Sequence, residues 1–148
     1  MNGGRAAVAG LVATAGMTAL LLVEPSVGLP KIAMGQVLAS SLGFTTAHLD
    51  AGPALGWVLH FAIGGALALI YAVAFERRLP GPGVMRGMLY GLLVFLVAQV
   101  VFMPLIGGGL FSRGDPELIT GSLLGHLLYG AILGWGYHGL RSGELQPG

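Results

Sequence analysis

The chain contains no cysteine. That absence excludes a disulfide framework, a thiolate metal centre and a cysteine nucleophile, and it leaves the redox compartment unreadable from thiols. Charge is almost as scarce, with 9% of the 148 residues being Asp, Glu, Lys or Arg, against roughly 25% in an ordinary soluble domain. The net charge is +1 and no basic cluster exceeds Glu76, Arg77, Arg78, so nucleic acid is excluded as a partner, because neutralising phosphates takes many cations on one face. What the sequence has instead is apolar length. Hydrophobic residues reach 55% and glycine 27 positions, the composition of an integral membrane protein whose small residues let helices approach closely.

Crossing the hydrocarbon as a helix takes about 20 apolar residues, and lipid offers no partner to unpaired backbone groups. Four stretches qualify: residues 6–23, 54–75, 84–105 and 116–140. Their ends carry stop signals, Glu24-Pro25 after the first, "RRLPGPG" after the second, and Pro104 with "GGG" after the third. Asp115-Pro116-Glu117 opens the fourth with a capping residue, a proline for the first turn and an acid that suits the helix dipole. A cleaved signal peptide is the rival reading of residues 1–23, but the run is long for an h-region and no A-x-A site follows before "EPSVGLP". The expectation is therefore an all-α fold, a single transmembrane domain over residues 1–148 forming a four-helix bundle.

Residues 30–43, "PKIAMGQVLASSLG", are too short to span and too apolar for a simple solvated loop. They predict a short extra helix in the first outer loop, lying on the membrane surface or dipping into the bundle. For orientation, Arg5, Arg77, Arg78, Arg86 and Arg141 fall on one side of the spans and Lys31 and Arg113 on the other. The positive-inside rule then places both termini in the cytoplasm, across a bacterial inner membrane.

The second and fourth spans align at an offset of 66, which matches His60 with His126, Gly64 with Gly130, Leu67 with Leu133 and Tyr71 with Tyr137. Ala68 falls on Gly134 in the same register. The first and third spans align at an offset of 81, matching Arg5 with Arg86, Ala6 with Gly87 and Gly10 with Gly91. The chain thus reads as two repeated helical hairpins entering from one side, as in parallel-repeat transporters. Positions i, i+4, i+8 and i+11 lie within about 80° of one another on a helix, so His60, Gly64, Ala68 and Tyr71 share one face, as do His126, Gly130, Gly134 and Tyr137. With Gly87 and Gly91, these are the expected helix-packing positions, and the stripe turns both imidazoles inward, away from lipid.

Three readings of His60 and His126 follow. Each ring can act as polar glue, bonded to a hydroxyl or to a carbonyl freed near Pro25 or Pro104. The two can oppose each other as axial ligands of a b-type haem, although a glycine stripe suggests helices too close for a porphyrin. They can also serve as proton or substrate contacts in a small carrier. Glu24, Asp50, Glu76, Asp115, Glu117 and Glu144 are all placed at span ends or in loops, which speaks against a proton-coupled pump. His48 and Asp50 with Glu24 read as loop polarity rather than a metal site, so no metal is expected. Trp57, Tyr71, Tyr90, Trp135 and Tyr137 read as interface-belt aromatics, and Met34 and Met103 as packing. No nucleophile, base and acid stand in a triad-like spacing, so an enzyme is not expected.

The segments "GWVLHFAIGGALALIYAVAF", "YGLLVFLVAQVVFMPLIGGGLF" and "LLGHLLYGAILGWGYHG" resemble a family of small four-span bacterial membrane proteins of unknown function, a group akin to the YagU-like inner-membrane proteins. The resemblance implies a four-helix membrane protein and brings no ligand or catalytic residue. The expected function is that of an accessory or structural subunit, in contact with lipid and with other membrane subunits of a respiratory or photosynthetic complex. The alternative is a small carrier, or a haem- or lipid-binding protein, built on His60 and His126.

Overall fold

The computed structural model describes residues 2–32, 34–41 and 52–143. Helix α1 runs Gly3–Val23 and ends in a 3-10 turn, Glu24–Val27. A short helix α2, Met34–Ser41, precedes α3, Gly52–Ile70, which continues through a π-helical turn, Tyr71–Phe75. Helix α4 runs Gly83–Val97, widens into a second π-helical turn, Ala98–Phe102, and closes with Met103–Leu105. Helix α5, Pro116–Gly143, completes the bundle. Four of these helical stretches, Gly3–Val27, Pro53–Phe75, Gly83–Leu105 and Pro116–Gly139, are long and apolar enough to cross a membrane. The short helix is confined to Met34–Ser41; residues 42 and 43, and the loop with His48 and Asp50, lie outside the described residues.

The helix ends follow their local chemistry. Asn2 caps α1, its side-chain oxygen accepting from the Arg5 N–H at 3.3 Å. Pro25 cannot continue the helix hydrogen bonds, and Gly28 closes the turn at φ 89°, a conformation glycine adopts without strain. Asp115 caps α5, its Oδ1 accepting from the N–H groups of Glu117 at 3.0 Å and Leu118 at 3.2 Å. The π turn before Pro104 has a related cause. Proline has no N–H to offer, and the Met103 N–H reaches back to the Ala98 carbonyl, a local widening that lets a membrane helix tolerate proline.

Helices α1 and α3 pack side by side, as do α4 and α5, and α1 joins α5 across the middle. In the α1/α3 seam, a β-carbon on Gly10 would fall 3.1 Å from the Gly64 carbonyl oxygen, and one on Gly64 would lie 3.1 Å from Thr14 Cβ. The α4/α5 seam is closer still. A β-carbon on Gly87 would lie 2.8 Å from Gly134 Cα, and one on Gly130 would lie 3.1 Å from Gly91 Cα. These helices meet backbone to backbone, which is how apolar helices gain packing energy when lipid competes for their side chains. Helix α2 docks on the start of α3 by the same device, Gly35 against Gly56.

Between the seams the core is filled by Ala6, Ala9, Ala13, Met17, Ala68, Leu133 and four tyrosines, Tyr71, Tyr90, Tyr129 and Tyr137. This corrects the interface-belt reading for Tyr71, Tyr90 and Tyr137, which are buried. The Tyr90 hydroxyl donates to the Leu67 carbonyl, and the rings supply bulk where the glycines supply none. Trp135 does face outward, at 67% exposure, and Trp57 is partly buried beside Gly35.

Candidate functional site

The polar interior of the half remote from the chain termini is assembled from all four spanning helices. On α1, Thr14 donates to the Gly10 carbonyl at 2.8 Å and Thr18 to the Thr14 carbonyl at 2.8 Å. The Thr18 hydroxyl has one hydrogen, and that hydrogen is taken. It therefore accepts from His60 Nε2, 3.2 Å away on α3, which fixes His60 as the Nε2–H tautomer. On α5, His126 Nδ1 lies 2.7 Å from the Ser122 carbonyl oxygen. A carbonyl can only accept, so His126 carries its proton on Nδ1. The two rings thus hold opposite tautomers.

His60 turns its Nε2–H onto Thr18, and Trp57 and Phe61 stand edge-on to its ring at 5.7 and 5.8 Å. His126 instead stands edge-on to Phe95, 6.0 Å away. The remaining packing positions lie where the helices touch: Gly64 and Ala68 on α3 toward α1, and Gly130 and Gly134 on α5 toward Gly87 and Gly91 of α4. Tyr71 and Tyr137 stand edge to face at 6.0 Å in the core.

Other polar groups of the interior carried no weight in the sequence reading. Gln99, in the wide turn of α4, is 1% exposed and accepts from Ser112 Oγ at 2.9 Å. Ser112 sits in a left-handed turn, with φ of 45° at Phe111, 50° at Ser112 and 56° at Arg113. Three consecutive non-glycine residues in that region cost about 1–2 kcal/mol each. The turn floors an open cleft of about 820 Å³, lined by Gly107, Gly108, Arg113 and the start of α5. Tyr129 and Tyr90 brace α3 from α5 and α4, donating to the Gly64 and Leu67 carbonyls at 2.6 and 2.8 Å. A lone amide within an apolar run was the available signal for Gln99. Nothing local marked the left-handed turn.

Two carboxyl groups expected at span ends or in loops are buried, Glu24 at 1% and Glu76 at 4% exposure. Glu76 closes the end where α1 begins, with Arg77 Nε at 3.6 Å, Arg86 Nη1 at 3.8 Å and His138 Nε2 at 3.8 Å. The Arg5 guanidinium lies 5.9 Å from the centre of the Tyr137 ring at the same end. Glu24 closes the opposite end against Gly121 of α5. Among the described residues, no group of three His, Cys, Asp or Glu could hold a metal ion.

Four apolar helices, sealed by glycine seams around a hydrogen-bonded interior, define a multi-pass membrane protein of the small four-helix class. The chain belongs to a family of unknown function, DUF6789, whose model matches residues 1–146. Comparison with curated proteins and with solved structures gives no match.

Proposed function

We propose that this is a non-catalytic membrane protein, an accessory or structural subunit that docks onto a larger membrane complex. The observation that carries the reading is the state of its interior polar groups. Thr14, Thr18, His60, Gln99, Tyr90, Tyr129 and His126 each have a partner inside the bundle. A site for a substrate keeps polar groups facing a cavity; these seven are turned into the walls. Apolar side chains such as Val8, Val58, Val97 and Trp135 cover the outer faces, where lipid and neighbouring subunits compete for the same surface. Solubilisation in a mild detergent, followed by native mass measurement, tests this. Stable co-purification with a defined multi-subunit complex is expected, and a self-sufficient homo-oligomer refutes it.

The same reading includes two duplicated hairpins. Gly10 meets Gly64 and Ala68, and Gly87 meets Gly130 and Gly134. Equating these contacts maps α1 onto α4 at 87 − 10 = 77, one turn short of the offset of 81 that aligns Arg5 with Arg86. Duplicated contacts explain the repeated glycines better than the aligned arginines do. The membrane we assign is a bacterial inner membrane, with both termini cytoplasmic.

One observation favours the alternative, a small carrier working through His60 and His126. Burial of Glu24 and Glu76 gives the bundle an ionisable group at each end, and such groups in membrane proteins often mark a pathway. Liposomes containing the purified protein, loaded with a pH-sensitive dye, test it. An imposed pH gradient that decays faster than in empty liposomes, and no faster with His60→Leu, is the expected signature of a carrier.

A further inference from the structure

The two buried carboxyl groups differ in their surroundings. Glu76 stands among Arg77, Arg86 and His138. Among the described residues, no lysine, arginine or histidine lies within ion-pair distance of Glu24. Its Oε1 is buried without a hydrogen-bond partner. Lys31, the nearest base along the chain, is exposed. Across the seam α5 offers Gly121, and one turn outward come Glu117 and Asp115, both exposed acids.

The backbone adds to this imbalance. Glu24 is the C-terminal capping residue of α1, where the helix dipole presents its negative end and disfavours a carboxylate. Pro25 supplies no N–H to the Leu21 carbonyl four residues back, so a further partial negative charge is left in the last turn. A carboxylate so placed meets a negative dipole, acids one turn away and no cation. The room it occupies is made by a glycine, since a β-carbon on Gly121 would stand 3.1 Å from Oε2 and 3.3 Å from Oε1. A metal cation would need several further oxygen ligands, and α5 presents a bare glycine there.

We propose that Glu24 is a proton-binding site: at neutral pH it is held as the neutral acid in the outer end of the α1/α5 seam, and loss of its proton to the outer aqueous side opens that seam. The neutral carboxyl fits between Gly121 and the α1 terminus. The ion requires water, and water reaches it only if the two helix ends part. The outer half of the bundle therefore has a closed, protonated form and an opened, ionised form. This holds whether the protein is a subunit or a carrier.

The full-length protein in liposomes gives a direct test with dicyclohexylcarbodiimide, an apolar reagent that forms stable adducts with protonated carboxyls, located by peptide mass spectrometry. Glu24 should be labelled at neutral pH and Glu76 should not. The adduct should disappear as pH rises, and Glu24→Gln should abolish it. A second measurement uses spin labels at Leu22→Cys and Thr120→Cys, both exposed at the outer ends of α1 and α5, in a chain free of other cysteines. Their separation should lengthen on going from acid to alkaline buffer, and with Glu24→Gln it should stay at the acid value. An unlabelled Glu24 at neutral pH, protection of Glu24 by sodium ions, or a pH-independent distance in the otherwise unchanged protein would overturn the proposal.

Discussion

Gly87 and Gly65 are both glycines inside spanning helices, but their surroundings differ. A β-carbon on Gly87 would collide with the Gly130 carbonyl and with Gly134, whereas one on Gly65 would meet nothing within 4 Å. Gly87→Ala should therefore destabilise the bundle by about 1–3 kcal/mol, the usual cost of overpacking. Gly65→Ala should stabilise α3 by up to about 1 kcal/mol through helix propensity. Unfolding both variants in one detergent checks the opposite signs. A second test at this scale concerns Thr18. Thr18→Val removes the acceptor of the His60 N–H and should cost about 1–3 kcal/mol for a buried donor left unpaired, while Thr18→Ser keeps the hydroxyl and should recover most of it. Equal losses in the two variants would mean that the bond contributes nothing.

At the scale of elements, one hydrogen bond ties together two irregular segments of the second hairpin. Gln99 reaches inward from the wide turn of α4, and Ser112 reaches back from the left-handed turn before α5. Gln99→Leu strands the Ser112 hydroxyl, and Ser112→Ala strands Gln99, so each single change should cost about 1–3 kcal/mol. The double variant has no buried partner left over and should lose less than the two singles added together. Additive losses in the double-mutant cycle would show that the bond does not carry the turn. Regular features of these elements were legible in the sequence: apolar length located the spans, and Asp115-Pro116 located the start of α5 to the residue. The irregular ones were not. A wide turn depends on where a neighbouring helix can take up an extra residue, and three left-handed residues at positions 111–113 carry no glycine signal of their own. The site was legible only in part. The i, i+4 stripe placed His60 facing inward, but its partner Thr18 lies 42 residues away, a separation no local pattern encodes. Glu24 and Glu76 stand at helix ends in the sequence, and only the approach of α5 and α4 buries them.

For the molecule as a whole, four crossings put both termini on one side, and the uneven distribution of charge is the basis on which we propose which side that is. Arg5, Arg77, Arg78 and Arg86 gather with Glu76 and His138 at the end where α1 begins and α3 stops. The opposite end holds Lys31 and Arg113, with the acids Asp115 and Glu117. Basic residues beside short loops are retained in the cytoplasm, so the end with Glu76 should be the inner one and the Ser112 turn should face outward. Single cysteines at Asn2, Leu110 and Gly139, all exposed, test this in intact cells with a membrane-impermeant maleimide. Leu110→Cys should react directly, and Asn2→Cys and Gly139→Cys only after permeabilisation. The reverse pattern would invert the protein and place Glu24 toward the cytoplasm, so that its proton would exchange with the inner aqueous phase. Reaction of Asn2→Cys and Gly139→Cys from opposite sides would contradict the even number of crossings itself, and with it the pairing of α1 with α3 and of α4 with α5 on which both glycine seams depend.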